Sequence, residues 1–163
     1  MRDKRFIAEH RGGTLLLKNH HSLMAWAISC SEHALLLARG KKIDDRLTHA
    51  LKIAEEWKNG KAKTGVAMQA AYLAHTAARE ETDPVLKSVA RSISQCVSTA
   101  HMADHSVGAA LYALQAFKHA DKSVKEELAW QKDQLNELPV EIATLVLETI
   151  GIKIKGFKDL FLI

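Results

Sequence analysis

The sequence has few of the residues that mark specialised protein classes. It contains only two Pro and two Cys among 163 residues, and aromatic residues make up 6%. Cys30 and Cys96 have no disulfide-rich or metal-ligand spacing, so we expect them to be small buried apolar residues in a reducing compartment. No apolar run approaches the ~20 residues of a membrane-spanning helix. The basic first residues lack a following apolar segment, so we expect no signal peptide and a cytoplasmic location.

The remaining composition is that of an ordinary globular protein. Apolar residues make up 47% of the chain and charged residues 26%. A chain of this length can bury roughly 70% of its unfolded surface in one core. We therefore expect residues 1–163 to form a single domain, with an N-terminal arm at 1–18 and an apolar C-terminal tail at 152–163.

Hydrophobic periodicity predicts an all-α bundle of about seven helices. Apolar residues recur at i, i+3, i+4 and i+7 through most of the chain. Asp83 followed by Pro84 is a strong helix start, and Ser123 with Glu126 forms a capping box. The expected helices cover residues 19–39, 45–60, 64–81, 84–100, 104–119, 123–137 and 139–151.

A break is expected between the fourth and fifth helices. The apolar stripe before Asp104 and the stripe that starts at Val107 differ in phase by tens of degrees. An uninterrupted helix would place the Asp104 carboxyl in the middle of the apolar stripe. Asp104 is therefore either the N-cap of the fifth helix or part of a polar site.

Two histidines near this break have a spacing that metal sites use. His101 and His105 are four residues apart and would share one face of a continuous helix. A third ligand would have to come from another segment, and His75 is one candidate. Hydrogen bonds to other side chains and to the backbone are the simpler interpretation.

We expect a larger polar cluster between the helices and the N-terminal arm. His75 and Arg79 share one side of the third helix, and the arm has no apolar stripe that could dock it by packing alone. Glu9 is its one carboxylate and is predicted to be paired. The candidate site residues are Glu9, His10, Arg11, His33, His75, Arg79, His101, Asp104 and His105.

Other kinds of site have little support in the sequence. The serines lie in no nucleophile-elbow motif, and no glycine-rich phosphate loop is present. The net charge of +4 arises from 23 basic and 19 acidic residues that are scattered along the chain. This pattern argues against a nucleic-acid partner.

Several segments resemble a bacterial family of immunity proteins. They include the residues Arg5 to Gly13, Ala25 to Ala27 with Cys30 and His33, Ala74 to Arg79, and Ala100 to His105 with Tyr112. The resemblance implies a small cytoplasmic α-helical protein that is associated with polymorphic-toxin systems and neutralises a toxin domain. It supplies no catalytic residue and no cofactor.

Two functions therefore remain open at this stage. The first is an immunity protein that binds a cognate toxin domain without catalysis. Since many nuclease inhibitors are acidic and this chain is basic, a toxin other than a nuclease is expected. The alternative is a metal-dependent or histidine-based enzyme or small-molecule binding protein on a helical bundle. The apolar tail is expected to pack onto the bundle or to form a homodimer.

Overall fold

Residues 2–161 fold into seven α-helices, as the periodicity of the sequence predicts. The structure is a computed structural model, and it describes residues 2–161. No β-strand occurs within that range, which holds one isolated bridge between Ala8 and Leu15. The helices are α1 (Leu17–Leu35), α2 (Asp45–Lys58), α3 (Thr64–Glu80), α4 (Pro84–Ser98), α5 (His105–His119), α6 (Val124–Gln134) and α7 (Val140–Lys153).

Helix boundaries follow the capping residues closely. The side chains of Asp44, Asp83 and Ser123 each accept a backbone N–H in the first turn of α2, α4 and α6. Gly60 follows α2 with a φ of 72°, a left-handed conformation that favours glycine at the end of a helix. α7 begins after Pro139 and continues to Lys153, two residues beyond the predicted end at Gly151.

α4 lies at the centre of the bundle, where it packs against α1, α2, α3 and α5. Small residues allow these close approaches. Ser92 is fully buried, and its hydroxyl contacts that of Ser31 on α1 at 2.8 Å and donates to the carbonyl of Ala109 on α5. The alanines of α3 are buried on the side that faces its neighbours. Cys30 and Cys96 are buried free thiols, as predicted.

The predicted break between α4 and α5 is confirmed. α4 ends at Ser98 and α5 begins at His105, with turns between them. Asp104 occupies the N-cap position, but its side chain accepts no N–H of α5. The capping interpretation is therefore wrong for the carboxylate of Asp104. It instead forms ion pairs with Arg2 and Lys153, which come from distant segments.

The two ends of the chain dock through a few apolar residues. Phe6 is buried in the N-terminal arm, and Leu160 is buried in the C-terminal tail. Phe157 packs edge-on against Tyr112 at 5.0 Å between ring centroids. Ile152 remains 70% exposed, and Ile163 lies outside the described residues. None of the described helices is long and apolar enough to cross a membrane.

Candidate functional site

The structure distributes the predicted polar cluster over four places. The N-terminal arm meets His101, and Asp104 with His105 forms a second group beside it. His33 lies on the far side of the bundle against α6, and His75 and Arg79 lie on α3. The predicted residues therefore form four separate sets of polar contacts.

The first group, called the histidine corner, consists of Arg11 of the N-terminal arm with His20, His21 and His101. The guanidinium of Arg11 donates to Nε2 of His101 at 3.5 Å. Nearby, Nε2 of His20 donates to the carbonyl of Thr99 at 2.5 Å. Burial lowers the pKa of His20 despite that hydrogen bond, and the nearby His21, His10 and Arg11 lower it further. The sequence interpretation missed His20.

Trp57 supports this corner from α2. The rings of His20 and His21 both pack edge-on against the Trp57 indole, at 4.7 and 4.9 Å between centroids. Burial also lowers the pKa of His21. The packing of both rings on Trp57 joins the start of α1 to α2, and burial there favours the neutral imidazoles.

The second group is centred on the carboxylate of Asp104. Its Oδ2 lies 3.3 Å from Nε of Arg2 and 3.4 Å from Nζ of Lys153, so it ties the arm to α7. Nδ1 of His105 donates to Oε1 of Gln95 at 2.8 Å. Burial lowers the pKa of His105, while the Asp104 charge opposes that shift. The two ion pairs of Asp104 join segments far apart in the sequence, whereas the His105–Gln95 bond links the end of α4 to the start of α5.

His33 and Glu127 form a partly buried acid–base pair that the sequence did not predict. Nδ1 of His33 on α1 lies 2.7 Å from Oε2 of Glu127 on α6, outside the alignment of a good hydrogen bond. The Glu127 side chain is 1% exposed and that of His33 is 29% exposed. Burial raises the pKa of Glu127, and the contact with His33 opposes this shift.

Aromatic rings enclose this pair. The imidazole of His33 stacks on Trp130 at 3.8 Å between centroids and leans against Phe117 at 5.4 Å. One sequence signal could have identified Glu127. It shares the buried side of α6 with Val124 and Gln131, at i, i+3 and i+7 positions that normally carry apolar residues.

His75 and Arg79 lie on α3, away from the break. The hydroxyl of Thr76 accepts from Arg79 at 2.9 Å, so Arg79 bonds within its own helix. Burial lowers the pKa of His75, and the charges of Arg91 on α4 and Arg79 add to this shift. No hydrogen bond or ion pair among the described residues joins His75 to His101.

Two expectations about this cluster receive no support from the geometry. Glu9 is exposed, and its carboxylate forms no ion pair within residues 2–161, so its predicted pairing is wrong. No three His, Cys, Asp or Glu side chains group closely enough in that range to hold a metal ion. The candidate ligands His101 and His75 instead lie beside arginines, and His105 bonds to Gln95.

The outer side of α3 is uncharged over most of its length, a feature that the sequence interpretation overlooked. Residues 64–78 contain no Asp, Glu, Lys or Arg. The buried side of this segment is mostly alanine, and its solvent side is neutral and partly apolar. Tyr72 is 68% exposed. We define the α3 face as the exposed residues Gly65, Val66, Gln69, Tyr72 and Leu73.

Charged residues border the α3 face on one side and at its C-terminal end. His75 lies along one side, next to Arg91 of α4. Arg79 and Glu80 follow the face where the helix ends, and Glu80 pairs with Arg46 of α2 at 2.7 Å. The uncharged face thus ends at an arginine and an ion pair.

Comparisons with known proteins identify one family. The family model described as Imm-5 like putative immunity protein matches residues 13–138, more than half of the chain. No curated protein and no solved structure has significant similarity to the chain. The matched range includes α1 to α6, the His33–Glu127 pair and the α3 face.

Proposed function

The chain belongs to the Imm-5 like immunity proteins, and from this premise we propose that it binds a cognate toxin domain through the α3 face and neutralises it without catalysis. The observation that carries the proposal is the absence of charge on that face. The predicted polar cluster is then a set of structural contacts and borders, and not the centre of the site.

The composition of the α3 face favours protein binding. The cores of protein interfaces are depleted in charge and enriched in aromatic residues, and Tyr is a frequent energetic hot spot. Tyr72 is held on a regular helix, so little conformational entropy is lost when its ring is covered. Val66 and Leu73 are 42% exposed beside it and add apolar area at helical spacing.

Charge limits the kind of toxin that fits. The protein carries a net charge of +4, and Arg79 and Arg91 lie beside the α3 face. A partner with a neutral or acidic binding surface would be attracted, whereas the basic surface of a nuclease would be repelled. We therefore propose a toxin that does not act on nucleic acid. The free thiols suit a cytoplasmic location.

Co-expression tests this function. Candidate toxin domains encoded near the gene would each be expressed in a bacterial host with and without this chain, and growth would be measured. We expect the wild-type chain to restore growth and Tyr72→Asp to abolish the rescue. Ile152→Asp is the matched control, because Ile152 is 70% exposed on α7. Failure of the wild-type chain to restore growth would refute the function, and loss only with Ile152→Asp would move the interface to the tail.

A further inference from the structure

We propose that a pocket at the C-terminal end of the α3 face receives a large apolar side chain of the toxin, an inference that rests on the proposed function. The pocket is a depression of about 260 Å³ between the starts of α2 and α4 and the end of α3. An engineered cavity of about 150 Å³ binds benzene, so this volume admits one leucine or phenylalanine side chain. We call it the apolar pocket, and its floor is formed by Ile43, Leu47, Ala77, Leu86, Val89 and Ala90.

The floor of the apolar pocket consists of hydrophobic side chains from three helices. Leu47 of α2, Ala77 of α3 and Val89 of α4 are all buried, and none is more than 6% exposed. Because Ala77 and Ala90 carry only methyl groups, the space above them stays open. Apolar side chains offer no hydrogen bonds to water, so a partner side chain that displaces water from this floor binds favourably.

Ion pairs hold the rim of the apolar pocket. The guanidinium of Arg46 donates to Asp44 at 2.8 Å and to Glu80 at 2.7 Å, which joins the start of α2 to the end of α3. Beside the pocket, Lys41 of the loop before α2 donates to Asp83, the N-cap of α4, at 2.8 Å. The pocket therefore has a defined shape before a ligand binds, which reduces the conformational entropy lost on binding.

The charges of the rim favour a neutral ligand group. Lys42 and Arg46 are the cations of the lining, and Asp44, Glu80 and Glu81 are its carboxylates. Arg46 already binds two of these carboxylates, and the third, Glu81, accepts two backbone N–H groups of the turn before α4. A charged ligand group would be attracted by one sign and repelled by the other. An apolar side chain instead covers the floor and leaves these contacts in place.

The apolar pocket continues the α3 face along the helix. Val66, Leu73 and Glu80 are spaced by seven residues, so they share one side of α3. A rise of 1.5 Å per residue places Glu80 about 10 Å beyond Leu73. Two turns of a partner helix are therefore long enough to contact Leu73 and to insert a side chain into the pocket. Hot-spot side chains typically fill such pockets, with a rim around them that excludes water.

Fragment titration tests the chemistry of the apolar pocket on the full-length protein. N-acetyl-leucinamide would be added to isotope-labelled protein, and the backbone amide shifts of Leu47, Ala77 and Ala90 would be followed by NMR. We expect saturable shifts with a Kd of about 1 to 10 mM, and no shifts with N-acetyl-glycinamide, which lacks the side chain. Shifts that do not saturate, or equal shifts with N-acetyl-lysinamide, would overturn the proposal.

A variant that fills the apolar pocket gives a second test. Ala77→Leu adds a side chain inside the pocket, and Ala129→Leu adds the same side chain at an exposed position on α6. Ala77→Leu should abolish the saturable shifts, whereas Ala129→Leu should change the Kd less than about twofold. Binding of the leucine fragment to Ala77→Leu as to wild type would contradict the proposal. The titration of the wild-type chain needs no variant, so it decides the proposal if Ala77→Leu does not fold.

The growth assay separates this inference from the proposed function. We expect Ala77→Leu to rescue growth less well than Ala129→Leu at equal expression. If Tyr72→Asp abolishes rescue but Ala77→Leu rescues fully, the pocket proposal fails and the function stands. If the wild-type chain gives no rescue, the proposed function fails, and the assignment of a toxin side chain to the pocket fails with it, whatever the fragment titration shows.

Discussion

Replacing His33 with Ala should reveal how strongly the buried Glu127 depends on its partner. The substitution leaves the carboxylate, which is 1% exposed, without the imidazole that lies 2.7 Å from it. It also removes the ring that stacks on Trp130 and contacts Phe117. We therefore expect two losses of stability, one from the electrostatic contact and one from the packing of the ring.

The size of the effect follows from these contacts. A hydrogen-bonded or ionic contact with a charged group contributes about 1.5 to 3 kcal/mol, and an aromatic pair adds about 0.5 to 1.5 kcal/mol beyond its buried area. Since His33 is 29% exposed, solvent reduces the electrostatic part. We expect His33→Ala to lower the free energy of unfolding by about 2 to 4 kcal/mol. Glu127→Gln should cost about 1 kcal/mol or less, because a neutral amide is easier to bury.

A double-mutant cycle checks this reasoning. Urea unfolding followed by circular dichroism avoids the change in Trp130 fluorescence that His33→Ala would cause. In the His33→Ala background, Glu127→Gln should instead be stabilising, so its effects in the two backgrounds should differ by more than about 0.5 kcal/mol. The exposed His49 on α2 provides the control, since His49→Ala should stay within about 0.5 kcal/mol of wild type. Additive single effects would show that the two side chains do not interact.

Three further perturbations test other parts of the fold. Trp26→Ala should cost about 3 to 5 kcal/mol in urea unfolding, because the indole is buried, and a cost below about 1 kcal/mol would contradict its core position. Gly13→Ala should lower the melting temperature, because its Cβ would overlap a backbone oxygen of the N-terminal arm, whereas Gly151→Ala meets nothing and should raise it slightly. Because burial lowers the pKa of His20 and His21, the unfolded chain binds more protons, so stability should fall as pH drops below about 6.5. Thermal melts that are unchanged between about pH 7.5 and 5.5 would contradict this.

The sequence was sufficient for the fold because local signals and periodicity agree. Asp83, Pro84 and Ser123 act within one turn of helix, so they place α4 and α6 without knowledge of the tertiary structure. The phase change at Asp104 likewise depends only on neighbouring residues. The sequence left the role of the Asp104 carboxylate open, because its partners, Arg2 and Lys153, come from the two ends of the chain.

The candidate site was harder to predict, because the sequence interpretation relied on polar residues. His75 and His101 have similar positions relative to their helix stripes, yet the structure gives them different partners. The α3 face contains no motif, and its signal is the lack of charge around Tyr72. The position of Glu127 on the buried side of α6 follows from its spacing to Val124 and Gln131, whereas its contact with His33 of α1 is evident only when the two helices are placed together.

Direct titration of the purified toxin domain with this protein tests the central claim most closely. Isothermal titration calorimetry would compare wild type with Tyr72→Ala, and Ile152→Ala would serve as the exposed control on α7. A hot-spot tyrosine contributes about 2 kcal/mol or more, so the Kd for Tyr72→Ala should rise about thirtyfold or more while the control binds like wild type. Wild-type affinity in Tyr72→Ala would contradict the assignment of the α3 face as the toxin-binding surface.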